Sequence, residues 1–250
     1  MQAINVQPYK APRERFLEAS GANLYFLDRV LQSIGLTATG RFLEIGCGTG
    51  IFAKCLAAAS GLKAYGTEIS PAAWAIASKR LDCSLVQGVE LPFDDGFFAL
   101  VVAKDVLPMI TDKNKWFEEI LRVLDKGGRF ITYFPNERDF FEKPLYAFIQ
   151  GSEALSRCAY RQPHHIVEAM VKAGFSELYV ERLHLGNVRF DFSYVDKHQS
   201  GFFSNSEVAG FESVREQGLA EEVRGVAALN DAGVNIHYEW ERTLVIGGKT

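Results

Sequence analysis

Apolar residues recur along the chain in two alternating rhythms. Leu24, Leu27, Val30, Leu31 and Ile34 fall at helical spacing, which predicts a helix over residues 11–35 with Gly35 as its stop. Residues 41–45 form a short apolar run that ends in glycines, the mark of a buried strand. The alanine-rich residues 51–60 read as a helix and 62–67 as a second strand. Ser70-Pro71 opens another helix, because a serine hydroxyl caps free amides and proline suits the first helical turn. Residues 84–87 read as a brief strand and 97–103 as a strongly apolar one. A helix over 114–124 puts Phe117, Ile120, Leu121 and Leu124 on one face, and Gly127-Gly128 turns into a strand over 129–134.

After a helix over 163–173 and Gly174, strands are predicted at 176–185 and 242–246. More than fifty residues lie between those strands, too many for a plain loop, so they are expected to contain structure of their own. Residues 135–162 form a second elaboration. Strands that alternate with helices point to a parallel sheet covered on both faces. The expectation is one α/β domain over residues 1–250, with cap insertions at about 135–162 and about 186–237.

Composition narrows the field. Apolar residues make up 48% of the 250 and charged residues 23%, which suits a globular chain rather than a disordered one. A net charge of -4 disfavours sequence-independent binding to a phosphate backbone. Cys47, Cys55, Cys83 and Cys158 contain no CxxC pair and match no zinc spacing, so no metal site is expected. Residues 1–10 lack the apolar centre of a signal peptide, and no run of about 18 apolar residues occurs. Reduced thiols in a cytoplasmic protein, without a membrane span, are therefore expected.

The stretch Glu44-Ile-Gly-Cys-Gly-Thr-Gly50 joins a predicted strand to a predicted helix. Glycines there allow a sharp turn and a close backbone approach to a ligand, and the helix start offers free N–H groups. Glu68 stands 24 residues after Glu44, at the end of the next strand, where a carboxylate can accept both hydroxyls of a ribose. Together these describe a nucleoside site at the carboxyl edge of a parallel sheet. The dinucleotide fingerprint GxGxxG would need glycine at position 51, which is Ile51.

The acid-x-G-x-G-x-G pattern instead resembles motif I of class I S-adenosylmethionine-dependent methyltransferases. Residues 65–71 resemble the family's second motif, 87–96 its third, 122–130 the turn into its fifth strand, and 173–175 the turn into its sixth. The likeness is good over about 40–135, patchy at 163–180 and 242–248, and nearest to the small-molecule subgroup sharing the Leu91-Pro92-Phe93 signature. It implies a Rossmann-like seven-stranded sheet of order 3-2-1-4-5-7-6, with helices on both faces and the last strand antiparallel. It also implies S-adenosyl-L-methionine as cofactor, S-adenosyl-L-homocysteine as product, and Glu44, Gly46, Gly48, Gly50 and Glu68 as its holders. A carboxylate at Glu44 can hold the cofactor's ammonium, directly or through water, whereas beside a pyrophosphate it would repel. The same resemblance assigns Ile69, Gln87, Gly88 and Lys104 to the cofactor, with Gln87 where the family usually carries an aspartate for the adenine; Gln87 either takes that role or is a strand-end residue.

Methyl transfer is an in-line displacement, governed by alignment and exclusion of water, and a hydroxyl acceptor also wants a base. Many small-molecule members carry that base where Pro108 and Met109 stand. Asp105 remains at the end of the fourth strand, either to orient or deprotonate an acceptor or to cap the next element. His164 and His165 open a predicted helix, where the helix N-terminus favours a neutral imidazole, or they are simply solvated. His184, His198 and His237 are further candidates, His184 as a core-facing residue at a strand end. The insertions are rich in aromatics, among them Phe140, Tyr146, Phe192 and Phe203, which either roof an acceptor pocket or form small cores. Tyr9, Arg13 and Tyr25 either close over the cofactor or pack on the sheet. The expected activity is O- or N-methylation of a small or medium organic acceptor with a hydrophobic or aromatic part. The alternatives are a nucleic-acid or protein methylase and a non-catalytic S-adenosylmethionine-binding module.

Overall fold

The computed structural model describes residues 21–34, 40–135, 163–190 and 212–250. In chain order they form α1 (Gly21–Ile34), β1 (Arg41–Ile45), α2 (Ile51–Ser60), β2 (Lys63–Glu68), α3 (Pro71–Ala77), β3 (Asp82–Leu85) and β4 (Phe98–Lys104). A 3-10 turn (Leu107–Met109) follows, then α4 (Lys113–Val123), β5 (Leu124–Phe134), α5 (Pro163–Ala173), β6 (Ser176–Phe190), α6 (Glu212–Asp231) and β7 (Ile236–Gly248).

The strands build one sheet in the order β3-β2-β1-β4-β5-β7-β6. β1 pairs in parallel with β2 and β4, β2 with β3, and β4 with β5, while β7 runs antiparallel to β5. The sheet order and the α/β class agree with the expectation from sequence. β1 lies in the middle, with Phe42 to Ile45 buried, so its carboxyl end opens between two neighbouring strands.

One face of the sheet packs Leu43, Val101 and Phe130 against Trp116, Phe117 and Ile120 of α4 and Ile166 and Met170 of α5. On the other face Phe26 of α1 stacks on Phe52 of α2 at 5.2 Å and tilts against Tyr133 of β5 at 4.8 Å. The alternation along β5 sends Phe130 and Phe134 to the first face and Tyr133 to the second, which is the period-two rule of a strand.

Several boundaries differ from the sequence expectation, each for a backbone reason. β3 lies two residues earlier than 84–87, because Asp82 to Leu85 register with Tyr65 to Glu68 and Val86 gives its N–H to the Glu68 carbonyl. β5 begins at Leu124, not at residue 129. Leu124 pairs with Phe98, and the glycine pair is bound to Lys249 through the Gly127 N–H and the Gly128 carbonyl. α4 starts at Lys113, capped by the Asp112 side chain, which accepts from the Lys115 N–H at 3.0 Å. β6 and β7 are longer than 176–185 and 242–246. α1 is described from Gly21, so residues 11–20 and Gly35 lie outside the described residues.

The chain divides into two compact units. One comprises Pro12–Phe134, Gln162–Leu183 and Thr243–Thr250 and contains the glycine turn. The other comprises Met1–Ala11, Pro135–Arg161 and His184–Arg242. Its described helix, α6, buries Val226 and ends at Asp231; Gly233 just beyond is left-handed, with the Val234 N–H on the Leu229 carbonyl. Structure was expected in this long insertion, and α6 provides it. Among the described residues no helix is long and apolar enough to cross a membrane.

Candidate cofactor site

The site is built where β1 runs out. Ile45 is the last buried strand residue, and the chain then turns through Gly46, Cys47, Gly48 and Thr49 into α2, whose N-cap is Gly50. Gly46, Gly48 and Gly50 have φ of 66°, 57° and 80°, a region that L side chains rarely adopt. At Gly46 space matters as well, since a Cβ there would stand 2.5 Å from Val106 Cγ2. At Gly48 a Cβ would meet nothing within 4 Å, so the turn is open on that side.

Glu68 ends β2 and is only 5% exposed. Its Oε2 accepts the Gly48 N–H at 2.7 Å, and its Oε1 accepts the N–H groups of Ile69 and Ser70, each at 2.9 Å. Three backbone donors thus hold the carboxylate and tie the glycine turn to the end of β2. A carboxylate has about four acceptor positions, so this arrangement leaves capacity for a further hydroxyl donor. Ser70 caps α3 as expected, accepting from the Ala73 N–H at 3.4 Å.

Glu44 is buried in the sheet at 2% exposure. Burial pushes its pKa up from 4.5 to about 8, against the pull of the Lys104 charge and the Ala53 N–H, while Glu68 and Cys83 push it further up. Among the described residues its Oε2 has no hydrogen-bond partner, and the Thr49 hydroxyl in the same turn has none either. An unpaired buried polar group costs about 1–3 kcal/mol, so these atoms suit a polar ligand, and Glu44 suits a cationic donor. The open face at Gly48, the carboxylate of Glu68 and the orphaned oxygen of Glu44 together fit a nucleoside that also carries an ammonium group.

The remaining expected residues line the same sheet edge. Ile69 follows Glu68 with its side chain 54% exposed. Gln87 and Gly88 follow the end of β3 and are exposed. Lys104 ends β4, near enough to Glu44 to lower its pKa. Asp105 comes next in a left-handed backbone conformation, φ 57°, with its N–H on the Tyr133 carbonyl at 2.8 Å. The 3-10 turn that follows has Val106 at its N-cap. Pro108 is buried, and no base stands at that position.

His164 and His165 occupy the exposed first turn of α5, their rings 4.0 Å apart. α5 ends just before Ser176, whose hydroxyl meets Gly248 O at the opposite edge of the sheet, so the first turn of α5 faces the carboxyl edge. Among the described residues no contact joins either histidine to Glu44 or Glu68. His184 is exposed inside β6, not core-facing at a strand end. Tyr25 is 42% exposed on α1. Tyr9, Arg13, His198 and the insertion aromatics at 140, 146, 192 and 203 lie outside the described residues, as does the side chain of His237.

Sequence reasoning missed three contributors. Thr49 was visible in the motif only as a spacer. Val106 seats against Gly46, and Arg80 donates to the Thr49 carbonyl at 2.7 Å. Arg80 lies 30 residues beyond Gly50 with no local pattern to mark it.

Comparison with known proteins places this geometry in context. Residues 43–132 match the family described as a methyltransferase domain. An uncharacterized protein of Methanocaldococcus jannaschii is 31% identical over 56% of this chain and 66% of its own length. A demethylmenaquinone methyltransferase of Thermus thermophilus is 28% identical over 71% of this chain and 97% of its own. Of three relatives at 30% or 31% identity, the chain spans between 29% and 66% of the length. Among solved structures, the Haemonchus contortus phosphoethanolamine N-methyltransferase in complex with S-adenosyl-L-methionine superposes with a TM-score of 0.59. It is 21% identical, with 91% of this chain and 52% of that one covered, and the likeness is one of fold.

Proposed function

We propose that this protein, whose residues 43–132 match the methyltransferase-domain family, transfers a methyl group from S-adenosyl-L-methionine to a small or medium organic acceptor. The observation that carries the reading is the pairing of two acidic residues at adjacent strand ends. Glu68 is held by three N–H groups beside the open glycine turn, and among the described residues Glu44 keeps one buried oxygen unpartnered.

Each residue has a distinct task. Glu68 accepts a ribose hydroxyl at the acceptor position its three N–H donors leave open. Glu44, with Lys104 near it, receives the ammonium of the methionine part. Gly46, Gly48 and Gly50 let the backbone pass close to the cofactor. Ile69 supplies an apolar wall to the adenine, and Gln87 and Gly88 its polar edge. S-adenosyl-L-methionine, when bound, supplies an electrophilic methyl on a sulfonium and leaves as S-adenosyl-L-homocysteine. The chain's own work is to hold, align and keep water out, which accounts for most of the rate in such a displacement.

Asp105 orients the acceptor from the end of β4. Its left-handed backbone, unusual outside glycine, is the kind of local strain that functional edges retain. Aromatic-rich sequence in the segments about 135–162 and 186–237 supports an acceptor with an apolar or aromatic part, and the relative named for demethylmenaquinone points the same way. Oxygen is preferred over nitrogen as the methylated atom. His164 and His165, exposed in the first turn of α5, are the candidates for a base toward the acceptor. The reaction is placed in the cytoplasm.

The test is transfer of isotopically labelled methyl into hydroquinones, phenols and amines, and into an extract of the source organism. Label in an organic-soluble small molecule supports the reading. Label in protein or nucleic acid replaces it with a macromolecular methylase. Cofactor binding without transfer to any acceptor replaces it with a binding module.

A further inference from the structure

Two thiols sit against the glycine turn and have no task in the reaction above. Cys47 is in the turn itself and buried, and Cys83 is in β3 and half-buried. Their sulfurs are 3.5 Å apart, reaching across β2 at Gly66. A Cβ on Gly66 would stand 2.8 Å from Cys47 Sγ, so glycine at this position makes room for the contact.

Both cysteines are carried on fixed backbone. The Cys47 N–H donates to the Thr67 carbonyl at 2.9 Å, and the Cys47 carbonyl accepts from Gly50 at 2.9 Å. The Cys83 carbonyl accepts the Trp74 indole N–H at 2.9 Å. Cys55, on α2, is exposed and stands apart from this pair.

We propose that Cys47 and Cys83 are a redox-sensitive dithiol, which a small-molecule disulfide converts to an intramolecular disulfide that reshapes the glycine turn. Cys83 is the first nucleophile, because it is the more accessible. The contact between the two sulfurs also lowers the pKa of the Cys83 thiol, while that contact and burial push the Cys47 thiol up. The Cys83 thiolate attacks the external disulfide and expels one thiolate, leaving a mixed disulfide. With Cys83 in the mixed disulfide, Cys47 gives its proton to the thiolate just released, and its own thiolate attacks the Cys83 sulfur and expels the second. The two protein thiols lose two protons and two electrons, and the external disulfide leaves as two thiols.

Bond formation draws the sulfurs in from 3.5 Å by about 1.5 Å. Gly48, the next residue after Cys47, donates the N–H that Glu68 holds at 2.7 Å, so movement of Cys47 is transmitted directly to that bond. The oxidised turn then offers Glu68 and Gly48 in a different relation to any nucleoside. Only this last consequence rests on the cofactor reading above.

The test uses the full chain carrying Cys55→Ser and Cys158→Ser, treated in the folded state with glutathione disulfide. Samples are alkylated after unfolding and analysed by mass. The expected product has lost two hydrogens, carries no glutathione, joins the peptides of Cys47 and Cys83, and reverts with dithiothreitol. Amide exchange at residues 46–50 should rise on oxidation. Affinity for S-adenosyl-L-homocysteine should fall by at least about tenfold, the scale of one charge-assisted hydrogen bond. Adding Cys83→Ser should leave the reduced affinity in place and abolish its response to glutathione disulfide. No linkage between the two cysteines, or stable glutathione adducts in its place, overturns the dithiol. Linkage with unchanged exchange and unchanged affinity overturns the switch. A reduced protein that binds no S-adenosyl-L-homocysteine removes the cofactor reading, while mass and exchange still decide the dithiol.

Discussion

Glutamine in place of Glu44 would isolate what it costs to keep a carboxyl group inside the sheet. The side chain is 2% exposed, and burial moves its pKa from 4.5 to about 8. The folded chain therefore binds this proton more tightly than the unfolded chain does. The stability linked to it is fully present below 4.5 and is lost as pH rises through about 8. One pKa unit is worth about 1.4 kcal/mol, so the loss is about 3 kcal/mol by pH 7 and about 5 kcal/mol above pH 9. Glutamine has nearly the same shape and does not ionise. Its altered hydrogen bonding shifts stability by a constant, so the pH slope of the difference belongs to the carboxyl. Urea denaturation of both proteins from pH 5 to 9 measures it. Glu44→Gln should gain on the parent by about 1 kcal/mol per pH unit through the middle of that range. The same variant should bind S-adenosyl-L-homocysteine more weakly, a trade of function against stability. A difference that stays flat with pH, or a parent that gains as pH rises, would refute the reasoning.

Three further outcomes follow from the same turn. At pH 7 a carboxyl with a pKa of about 8 is mostly protonated, so pairing it with the ligand's ammonium should release close to one proton per S-adenosyl-L-homocysteine bound. Calorimetry in buffers of different ionisation enthalpy reads that proton, and Glu44→Gln should abolish it. Glu68→Ala removes the acceptor of three N–H groups and should weaken cofactor affinity by about 2–4 kcal/mol. Unchanged affinity in a folded variant, checked by circular dichroism, would remove Glu68 from the ribose. Gly46→Ala puts a Cβ 2.5 Å from Val106 Cγ2 and should destabilise by about 1–3 kcal/mol in thermal or urea unfolding. Val106→Ala in the same chain should recover the part due to contact, leaving the cost of a positive φ, and additive effects would show that the two residues do not meet.

Most of the sheet was legible because its central strands announce themselves. β1 and β4 are buried almost throughout; β4 reads as a nearly continuous apolar run, and β1 is apolar at Phe42, Leu43 and Ile45 around the buried Glu44. The errors fall at edges and junctions, where apolar pattern stops deciding. β3 is an edge strand reading Asp82-Cys-Ser-Leu85, and its register follows from main-chain bonds to β2 that no side chain signals. The start of β5 carries two glycines, which read as a turn, yet their main chain pairs with Lys249, the residue just past β7. The alternation gave a parallel sheet covered on both faces, while the whole strand order came from resemblance, because nothing local in a strand's sequence tells it which neighbours it will take.

The site divides in the same way, between residues and their state. The spacing of Glu44, the three glycines and Glu68 identified the turn, since local backbone geometry is written in local sequence. That Glu44 would be buried and largely protonated could not be read, because its pKa comes from a sheet assembled around it. Lys104, Ala53, Glu68 and Cys83 all bear on that pKa, and they come from four different elements. The fixed positions of Glu68 and Gly48 likewise depend on each other: the carboxylate needs the N–H, and the turn needs the carboxylate. The acid at position 44 thus has a cost in the folded chain that a neutral side chain would not have. A ligand that brings a positive charge to the oxygen left unpartnered among the described residues would offset that cost, so the same carboxyl that weakens the fold as pH rises would favour binding.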